Sequence, residues 1–460
     1  MSAPRIAVVG GGAAGLASAA HLAALGAEVS LFESGPVAGG RIRTIRRDGW
    51  IAEAGALLVA EPGPEVRALL DAAGLAGRTV RASGAARRRF VVHQGVPQPI
   101  PSTLGDLIAS PLLSLAGRLR MAREPFVPKR TEHEDESVDA FARRRFGDEV
   151  AERLFDSLVA EMSAGDATGT LVRYLFPRLV EFEQSTGSVL KGQMRAGMEA
   201  RRRMRGKPQG AWSCPNGLTE VTEALGAVSG VRCHFASPVE EIAVFGNGVT
   251  VRAGGGTERF EGVVMAVPAP ALARIEVPAT WRDAMQQVAA MPHAPVASVS
   301  LGFARTSLSH PLDGMSIRVP SAEARPLLAI LIPSAVFAGR APDGHVLLTC
   351  LVGGVRHPDV AALPRAELLA LVREQLADLV GAKGEPVFSE VTSWPAAFPQ
   401  AVPGHAARLA AAEQLEEIVP ALVLTGSWRD GIVVSDVLRG GLRAADRLAV
   451  RLGLALPPAA

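Results

Sequence analysis

Apolar and polar positions along this chain repeat in patterns that predict an α/β protein. Residues 6–9 form a short uninterrupted apolar run, which is typical of a strand buried on both faces of a parallel sheet. An alanine- and leucine-rich stretch follows as far as about Leu25, and Gly26 is suited to end a helix there. Ala27 to Phe32 then predicts a second strand. A strand, a helix and a strand in this order form the unit from which parallel sheets are built.

Later stretches predict a second kind of sheet. From Pro292 to Leu351, runs rich in β-branched residues alternate with polar positions, which indicates a mixed or antiparallel sheet. Further helices are predicted at 64–75, at 365–380 and after residue 434, and further strands at 231–244, 246–253, 257–266 and 421–426.

The first strand runs into a glycine-rich turn that carries candidate chemistry. Gly10, Gly12 and Gly15 give the pattern G-x-G-x-x-G, and Glu33 ends the second strand. The first glycine permits a tight turn, the second lets the backbone approach a pyrophosphate, and the third lets helix and strand pack closely. The helix N-terminus attracts phosphates, and the carboxylate suits ribose hydroxyls.

The pattern alone would be weak evidence in a chain with 48 glycines, but strand, glycines, helix, strand and acid all occur in order. We therefore predict a dinucleotide-binding, Rossmann-like unit. Its candidate cofactor contacts are Gly10, Gly11, Gly12, Ala13, Ala14, Gly15, Glu33 and Ser34.

Composition narrows the class of protein. The 460 residues suggest two or three domains, and the 48% hydrophobic and 20% charged residues are globular values. A net charge of +2 gives no bulk electrostatic argument for nucleic acid. Cys214, Cys233 and Cys350 are too far apart for a disulfide framework or a metal pattern, so we expect a cytoplasmic protein without a metal site. We also expect no signal peptide and no membrane span, since no apolar run reaches about 18 residues.

The residues after Glu33 favour FAD over NAD. Ala38-Gly39-Gly40-Arg41 resembles an extended motif of the flavin amine oxidase superfamily, and the resemblance implies that Gly40 and Arg41 contact the pyrophosphate and the flavin. The guanidinium fork of an arginine matches phosphate oxygens. A plain turn followed by a solvated arginine remains the alternative.

Further motifs narrow the resemblance to protoporphyrinogen oxidases of the bacterial and organellar type. Motifs of that family occur here in order and at similar spacing: Arg89-Phe90-Val91, Pro99-Ile100-Pro101, Asp135-Glu136-Ser137-Val138, Ala164-Gly165-Asp166, Phe176-Pro177-Arg178-Leu179, residues 187–192, and the P-Q-x-x-x-G-H motif at 399–405. The similarity extends through nearly the whole chain.

The resemblance implies a fold of several segments: an FAD-binding domain of the glutathione reductase/amine oxidase type, a mixed-sheet substrate domain and a helical insertion. We expect the FAD-binding domain at 1–75, 208–268 and 391–460, the substrate domain at 76–101 and 269–390, and the insertion at 102–207. Asp135 or Ser137 would cap a helix that begins near Val138.

Two roles for the insertion stay open, a membrane-surface contact or a cover for the substrate cavity. Leu104 to Met121 is amphipathic and suits either role. The cationic run from Arg195 to Lys207 suits anionic lipid, substrate carboxylates or a solvated helix.

The resemblance also assigns site residues. It implies that Arg89 faces a propionate of a tetrapyrrole, that Val239 lies by the adenine, that Ala266 lies under the ADP half, and that Trp394 lies by the isoalloxazine. The remaining flavin contacts that it implies are Gly55, Ala56, Leu57, Leu58, Gly426, Ile432, Val433 and Val434. A helix N-terminus after Val433 would stabilise negative charge on reduced flavin.

The implied activity is the oxidation of protoporphyrinogen IX to protoporphyrin IX, a step of heme biosynthesis, with three hydride transfers to flavin and oxygen as acceptor. We expect FAD to be non-covalent, because no cysteine between residues 380 and 460 is available for a cysteinyl-flavin bond. No catalytic acid or base is assigned, because the macrocycle supplies its own imino tautomers. The oligomeric state is not predicted.

Three motifs depart from the family pattern and keep alternatives open. Residues 55–58 read G-A-L-L where the family has G-P-N-S, residues 161–166 read E-M-S-A-G-D where it has G-[IV]-[YF]-A-G-D, and residues 426–433 read G-S-W-R-D-G-I-V where it has G-N-x-x-x-G-[VI]-[GAS]. The alternative is a diverged FAD-dependent oxidase or dehydrogenase for another reduced heteroaromatic or secondary-metabolite substrate. An amine oxidase is less favoured, because Tyr174 is the single tyrosine and residues 297–303 contain no lysine.

Overall fold

Two large sheets, one parallel and one mixed, organise the described part of the chain. The computed structural model describes residues 3–60, 63–101, 106, 110–130, 135–203 and 210–456, with the backbone alone for 200, 201 and 203.

Within these residues the strands are β1 Arg5–Val9, β2 Glu28–Phe32, β3 Thr44–Arg47, β4 Trp50–Glu53, β5 Val80–Arg81, β6 Arg89–His93, β7 Val96–Pro99, β8 Trp212–Ser213, β9 Val231–His234, β10 Val239–Phe245, β11 Gly248–Ala253, β12 Gly256–Phe260, β13 Gly262–Met265, β14 His293–Ala304, β15 Ser316–Arg318, β16 Leu327–Leu331, β17 His345–Gly353, β18 Phe388–Pro399 and β19 Leu422–Leu424. The α-helices are α1 Ala13–Ala24, α2 Pro64–Leu70, α3 Leu115–Ala122, α4 Val138–Phe146, α5 Asp148–Val150, α6 Asp156–Ser163, α7 Val172–Leu175, α8 Pro177–Thr186, α9 Val189–Arg203, α10 Thr219–Gly226, α11 Ala269–Leu272, α12 Ala279–Ala289, α13 Pro333–Val336, α14 Arg365–Val380, α15 His405–Ile418, α16 Ser427–Asp430 and α17 Val434–Arg451.

The parallel sheet has the strand order β19-β13-β1-β2-β9. Its central strand is β1, in which Ile6 pairs with Val29 on one side and with Gly262 on the other. The apolar run predicted as a buried strand is buried as expected, because α1 and α17 cover one face of the sheet and apolar side chains of α12 and α15 belong to the core on the other. The strands of this sheet come from segments far apart in sequence, so it forms only after long loops close.

The mixed sheet has the order β18-β14-β17-β16-β15-β6-β7, and its pairs are antiparallel apart from the parallel pair β6 and β15. One face packs against α14, whose Leu368, Val372 and Leu376 are completely buried. The other face is partly covered by α6, through Ala160 and Ala164. This agrees with the predicted mixed sheet and the predicted helix at 365–380.

Helices α4 to α9 form a separate helical cluster around Phe141 and Val159. Ser137 caps α4, since its Oγ accepts a hydrogen bond from the amide of Ala140 at 3.1 Å, whereas Asp135 pairs with Arg173. The cluster also buries the completely inaccessible ion pair of Glu124 and Arg145. Burial alone would raise the pKa of Glu124, but hydrogen bonds from Ser188, from the Val189 amide and from Arg145 hold it below its usual range.

Several predictions concern segments that the structure describes only in part. Of the amphipathic stretch 104–121, only residue 106 and residues 110–121 are described, and of the cationic run 195–207 residues 204–207 lie outside. The predicted helix at 64–75 is α-helical to Leu70 and continues as a π-helical turn, Asp71–Leu75. The predicted domain division stays a proposal. One observation bears on its last boundary: β18 pairs with β14, so the mixed sheet extends to Pro399.

Candidate cofactor and substrate site

The glycine turn between β1 and α1 is shaped by two close backbone approaches. A Cβ on Gly10, which has φ 104°, would lie 2.8 Å from the carbonyl oxygen of Ala266, and a Cβ on Gly15 would lie 1.9 Å from that of Gly10. Gly12 differs, because a Cβ there would meet no atom within 4 Å. The turn therefore faces open space at Gly12, directly before the N-terminus of α1, which has no side-chain cap. The backbone of Ala266 thus packs against the turn at Gly10.

Hydrogen bonds hold Glu33 beside this turn. Its carboxylate accepts hydrogen bonds from the amides of Gly11 and Gly35, both at 2.7 Å, and Ser34 Oγ lies 3.2 Å from it. An ionised carboxylate has about four acceptor positions, so lone pairs remain for further donors. The ribose hydroxyls of a dinucleotide are donors of this kind, and the arrangement fits them.

Val239 lies close by at the start of β10. The preceding turn is fixed by hydrogen bonds from the amides of Ala236 and Ser237 to the carbonyl oxygens of Gly35 and Glu33. The structure thus places Val239 on the Glu33 side of the glycine turn.

The A-G-G-R motif doubles back over the glycine turn. The amide of Gly39 donates to Gly11 O at 2.8 Å, and a Cβ on Gly40 would lie 3.2 Å from Gly12 Cα. Arg41 follows and donates from Nη2 to Ser427 Oγ at 2.5 Å. Burial lowers the pKa of Arg41 to about 10, and no described carboxylate pairs with it. A phosphate or another anion would complete this site.

The C-terminal motif brings a second helix N-terminus to the same place. Gly441 of α17 packs so closely on α1 that a Cβ would lie 2.3 Å from Ala14 O, and Ser18 Oγ donates to Gly441 O at 2.8 Å. Further along both helices, His21 Nε2 lies 2.8 Å from the carboxylate of Asp446. Both contacts run in the same direction, so the two helices are parallel.

Because α17 begins seven residues before Gly441, its N-terminus reaches about 10 Å beyond the crossing point. Gly426, with φ 142°, and the residues Ile432, Val433 and Val434 form this entry, and α17 has no side-chain cap. Two free helix N-termini and an unpaired Arg41 therefore direct positive potential into one cleft, which suits an anionic cofactor. These features fit FAD.

The loop at residues 54–58 connects the cleft with the mixed sheet. A Cβ on Gly55 would lie 2.0 Å from Arg41 O, and the amide of Ala56 donates to the same oxygen at 3.2 Å. Trp394 of β18 donates from Nε1 to Ala54 O at 2.9 Å. Leu57 packs against Ala329 and Leu331 of β16, whereas Leu58 is partly exposed. The sheet face beside this loop is thus the candidate substrate wall.

Arg89 lies on the same sheet face. It pairs in register with Ser316, which pairs with Leu331, and directly paired residues point to the same side. Two strand spacings of about 4.8 Å put the Cα atoms of Arg89 and Leu331 roughly 10 Å apart. Burial lowers the pKa of Arg89, the charge of Arg318 lowers it further, and Glu161 opposes both. The candidate substrate residue is therefore part of a charged cluster.

Sequence reasoning missed three residues here: Glu161, His293 and Arg318. Arg318 donates from Nε to Glu161 Oε2. His293 Nδ1 lies 2.9 Å from Met291 O, while its Nε2 is buried without a partner among the described residues. Burial lowers the pKa of His293, although its backbone hydrogen bond opposes this, and the charge of Arg41 adds to the lowering. The one sequence signal was the departure at Glu161 from the family motif.

The P-Q-x-x-x-G-H motif lies between the helical cluster and the C-terminal motif. Gln400 Nε2 donates to Ser163 O at 2.8 Å, and the ring of His405 contacts that of Tyr174 edge to face with centroids 4.4 Å apart. These residues line a cavity of about 240 Å³ that extends to Ser427 and Val433. Burial, and to a lesser extent the charge of Arg408, lower the pKa of His405 to about 4, so this histidine is neutral at neutral pH.

Comparison with known proteins gives consistent results. The family model described as "Flavin containing amine oxidoreductase" matches residues 13–449. The mitochondrial protoporphyrinogen oxidase of Nicotiana tabacum is 29% identical over 478 aligned residues, which cover 97% of this chain and 94% of the relative. The coproporphyrinogen III oxidase of Bacillus subtilis (strain 168) is 27% identical, with 95% and 96% covered. A crystal structure of a putative protoporphyrinogen oxidase from Exiguobacterium sp. 255-15 has a TM-score of 0.81 at 22% identity, covering 98% of this chain and 100% of that one.

The open space at Gly12 gives a specific prediction about cofactor binding. Gly12→Val should leave the fold intact, because a Cβ at this position meets no protein atom within 4 Å, and should abolish flavin binding, because the new side chain would occupy the space before the α1 N-terminus. We would measure flavin released by acid precipitation and compare circular dichroism spectra.

Gly84→Val is the matched control, since a Cβ there also meets no atom within 4 Å and the position is far from the turn along the chain. A Gly12→Val protein with a full complement of flavin would show that the cofactor lies elsewhere. Flavin that stays in the acid pellet of the wild-type protein would contradict non-covalent binding.

Proposed function

The chain belongs to the family of flavin containing amine oxidoreductases, and from this premise we propose that it oxidises protoporphyrinogen IX to protoporphyrin IX with oxygen as acceptor. It is an FAD-dependent oxidoreductase, and it is similar over nearly its whole length to proteins named protoporphyrinogen and coproporphyrinogen oxidases, at 27–29% identity. The substrate and the electron acceptor are our proposal. A peripheral contact with a membrane is also part of this proposal.

In this proposal the ribose, the pyrophosphate and the flavin of FAD are bound by different residues. Glu33 binds the ribose, Gly12 and the α1 N-terminus bind the pyrophosphate, and Arg41 and the α17 N-terminus lie by the flavin. In this proposal the same cleft is also lined by residues 55–58, Val239, Ala266 and Trp394. When bound, FAD supplies the acceptor for a hydride from the substrate.

The observation that carries the proposal is Arg89. It is a partly buried cation without a described carboxylate hydrogen-bonded to it, and the one described hydrogen-bond contact of its guanidinium is Met315 Sδ at 3.4 Å. It lies on the candidate substrate wall, the sheet face that also carries Ala329 and Leu331, and Leu57 of the cofactor loop packs on those two residues. A flat apolar ring that carries a carboxylate fits this combination, since the ring would lie beside the loop while the guanidinium fixes its edge.

The function is tested by an aerobic assay. FAD-loaded protein should raise porphyrin fluorescence from protoporphyrinogen IX well above the rate of autoxidation, with release of hydrogen peroxide. Coproporphyrinogen III should be assayed in parallel, because relatives with both names match this chain. Flavin-loaded protein that forms porphyrin no faster than a protein-free control would refute the proposal.

Such a result would favour the second candidate, a diverged oxidase or dehydrogenase for another reduced heteroaromatic. The departures from the family motifs at residues 55–58 and 426–433 are the observation that supports it.

Arg89 should act mainly on substrate affinity. Arg89→Ala should raise KM roughly ten- to a hundredfold with a smaller effect on kcat, because a charge-assisted contact of about 1.5–3 kcal/mol is lost equally from the ground and transition states. Arg89→Lys should restore only part of the affinity, since a lysine lacks the planar fork.

Arg87→Ala is the matched control for Arg89→Ala. It removes the same charge from an exposed position two residues earlier. Equal and small effects of the two alanine substitutions would mean that Arg89 is only part of a solvated basic turn.

We also propose that the helical cluster contacts a membrane surface. Exposed apolar residues occur at three neighbouring places in and beside this cluster: Leu115 (72% exposed) and Leu119 (57%) on α3, Phe126 (84%) in the short turn Glu124–Phe126 that follows α3, and Met194 (70%) and Met198 (55%) on α9. The i, i+4 spacing puts each pair on one side of its helix. Glu124 joins the elements, because its carboxylate accepts hydrogen bonds from Ser188 and from the amides of Val189 and Leu190.

Basic residues border this apolar surface. Arg123, Lys129 and Arg195 are exposed near it and would attract anionic lipid. No helix of the described residues is long and apolar enough to cross a membrane, so the contact would be peripheral. Because α6 of the same cluster packs on the mixed sheet, the cluster would both cover the substrate wall and dock on lipid.

Sedimentation with lipid vesicles tests this surface. The wild-type protein should sediment with vesicles of mixed phosphatidylglycerol and phosphatidylcholine, and Phe126→Ser with Met194→Ser should reduce the bound fraction severalfold without loss of flavin. Val387→Ser is the matched control, because Val387 is 64% exposed elsewhere. Equal binding by all three proteins would rule the surface out.

A further inference from the structure

We propose that Arg318 is a second carboxylate-binding residue of the substrate site, that Glu161 positions it, and that the pocket thereby selects a substrate with two neighbouring carboxylates. This inference rests on the proposed function, because it assumes that the wall beside Arg89 binds the substrate.

Strand register puts the two arginines side by side. Arg89 of β6 pairs with Ser316 of β15, and Arg318 is two residues further along β15. Residues two apart in a strand point to the same face, so Arg89 and Arg318 share the face that carries Leu331 and Ala329. One strand spacing and two residue rises put their Cα atoms roughly 8 Å apart. Two long side chains at this separation can hold two carboxylates of one ligand.

The polar groups of this cluster are incompletely paired. Arg318 is only 9% exposed and donates from Nε to Glu161 Oε2, but its two terminal nitrogens donate to no described residue. Glu161 Oε1 and Ser316 Oγ are buried without a partner among the described residues. Buried polar atoms are usually hydrogen-bonded, so groups left open in this way on the candidate substrate wall point to a missing partner.

The charges also do not balance. Two guanidinium groups, Arg89 and Arg318, share a single carboxylate, Glu161, which leaves one net positive charge in a poorly solvated place. A cation that is buried without an anion is costly, and a ligand carboxylate beside Arg89 and Arg318 would remove this cost. Their unused donors would pair with the oxygens of such a carboxylate.

Glu161 does not need to touch the substrate to matter, because the helix that carries it is fixed. At the other end of α6, Asp156 pairs with Arg356 at 2.6 Å and accepts a hydrogen bond from the Ser321 amide at 2.7 Å. The helix therefore holds the Glu161 carboxylate over β15, where it fixes the guanidinium of Arg318. Glu161 stands where the resembling family motif begins with glycine, and its pairing with Arg318 accounts for that departure.

A tetrapyrrole with propionates on neighbouring rings presents two carboxylates in this way. Each arginine would bind one propionate, and the apolar wall would pack on the ring. Esterification of the propionates removes both charges while the ring stays the same, so the diacid and its dimethyl ester separate this recognition from ring binding.

The test compares these two substrates in the flavin-loaded enzyme. We expect the wild type to oxidise protoporphyrinogen IX with a kcat/KM at least about tenfold above that of its dimethyl ester. The double variant Glu161→Gln with Arg318→Leu removes one positive and one negative charge, so the net charge of the pocket stays the same. It should raise KM for the diacid about tenfold, change kcat by less than about twofold, and leave the ester unaffected. Glu161→Gln alone should raise KM for the diacid by a smaller factor.

Arg325→Leu with Asp378→Asn is the matched control. It removes another arginine–carboxylate pair, which joins α14 to the start of β16. This variant should keep the wild-type preference for the diacid. Flavin content and circular dichroism of all variants should match the wild type, which excludes general damage as the cause.

The outcomes separate this inference from the proposed function. If the wild type oxidises the diacid and the double variant keeps the same ratio of diacid to ester, Arg318 does not bind carboxylate and the inference is wrong. If the flavin-loaded wild type oxidises neither substrate, the proposed function itself fails. In that case binding of the diacid porphyrin, followed by the flavin spectrum, still tests the inference. The inference is wrong as well if wild type and double variant respond at the same porphyrin concentration.

Discussion

The close contact between α1 and α17 is the constraint on which the cofactor site depends. This contact requires Gly441, because any side chain there would meet Ala14 O, and the two helices cross in a parallel orientation. Parallel packing brings both N-termini to one cleft, where the glycine turn and Arg41 also lie. Helix dipoles of the same sign repel, so an anion between the ends would stabilise this arrangement. The packing of two helices in the hydrophobic core thus determines where an anionic cofactor fits.

A second constraint is set by three largely buried ion pairs. Glu124 with Arg145, Asp156 with Arg356, and Glu161 with Arg318 tie the helical cluster internally and to the mixed sheet. Breaking a buried pair costs several kcal/mol, since the remaining charge stays unpaired. The helices over the substrate wall are therefore held by electrostatic pairs and by small apolar contacts such as those of Ala160 and Ala164. The same pairs fix the pocket's shape and its charge.

The geometry of the glycine turn follows from the sequence more directly than that of the substrate wall, for a physical reason. Gly10, Gly15 and Glu33 act within one strand–helix–strand unit, so their spacing along the chain determines their geometry. The apolar periodicity likewise predicted α14 and the buried strand β1 correctly. The choice between Asp135 and Ser137 as helix cap required coordinates, because both residue types can cap. The uncapped α17 N-terminus next to α1 depends on Gly441, whose partner is more than 400 residues away.

The substrate wall shows why such a site escapes prediction from sequence. Glu161 and Arg318 are 157 residues apart, and neither residue alone indicates a pocket. Removing either residue alone would leave the other charge without its partner, so the two act as one unit. A departure from a family motif at Glu161 is therefore interpretable only when the strand register shows which residue faces it. Register depends on the whole mixed sheet, and the pocket's charge is consequently a property of the fold rather than of any local motif.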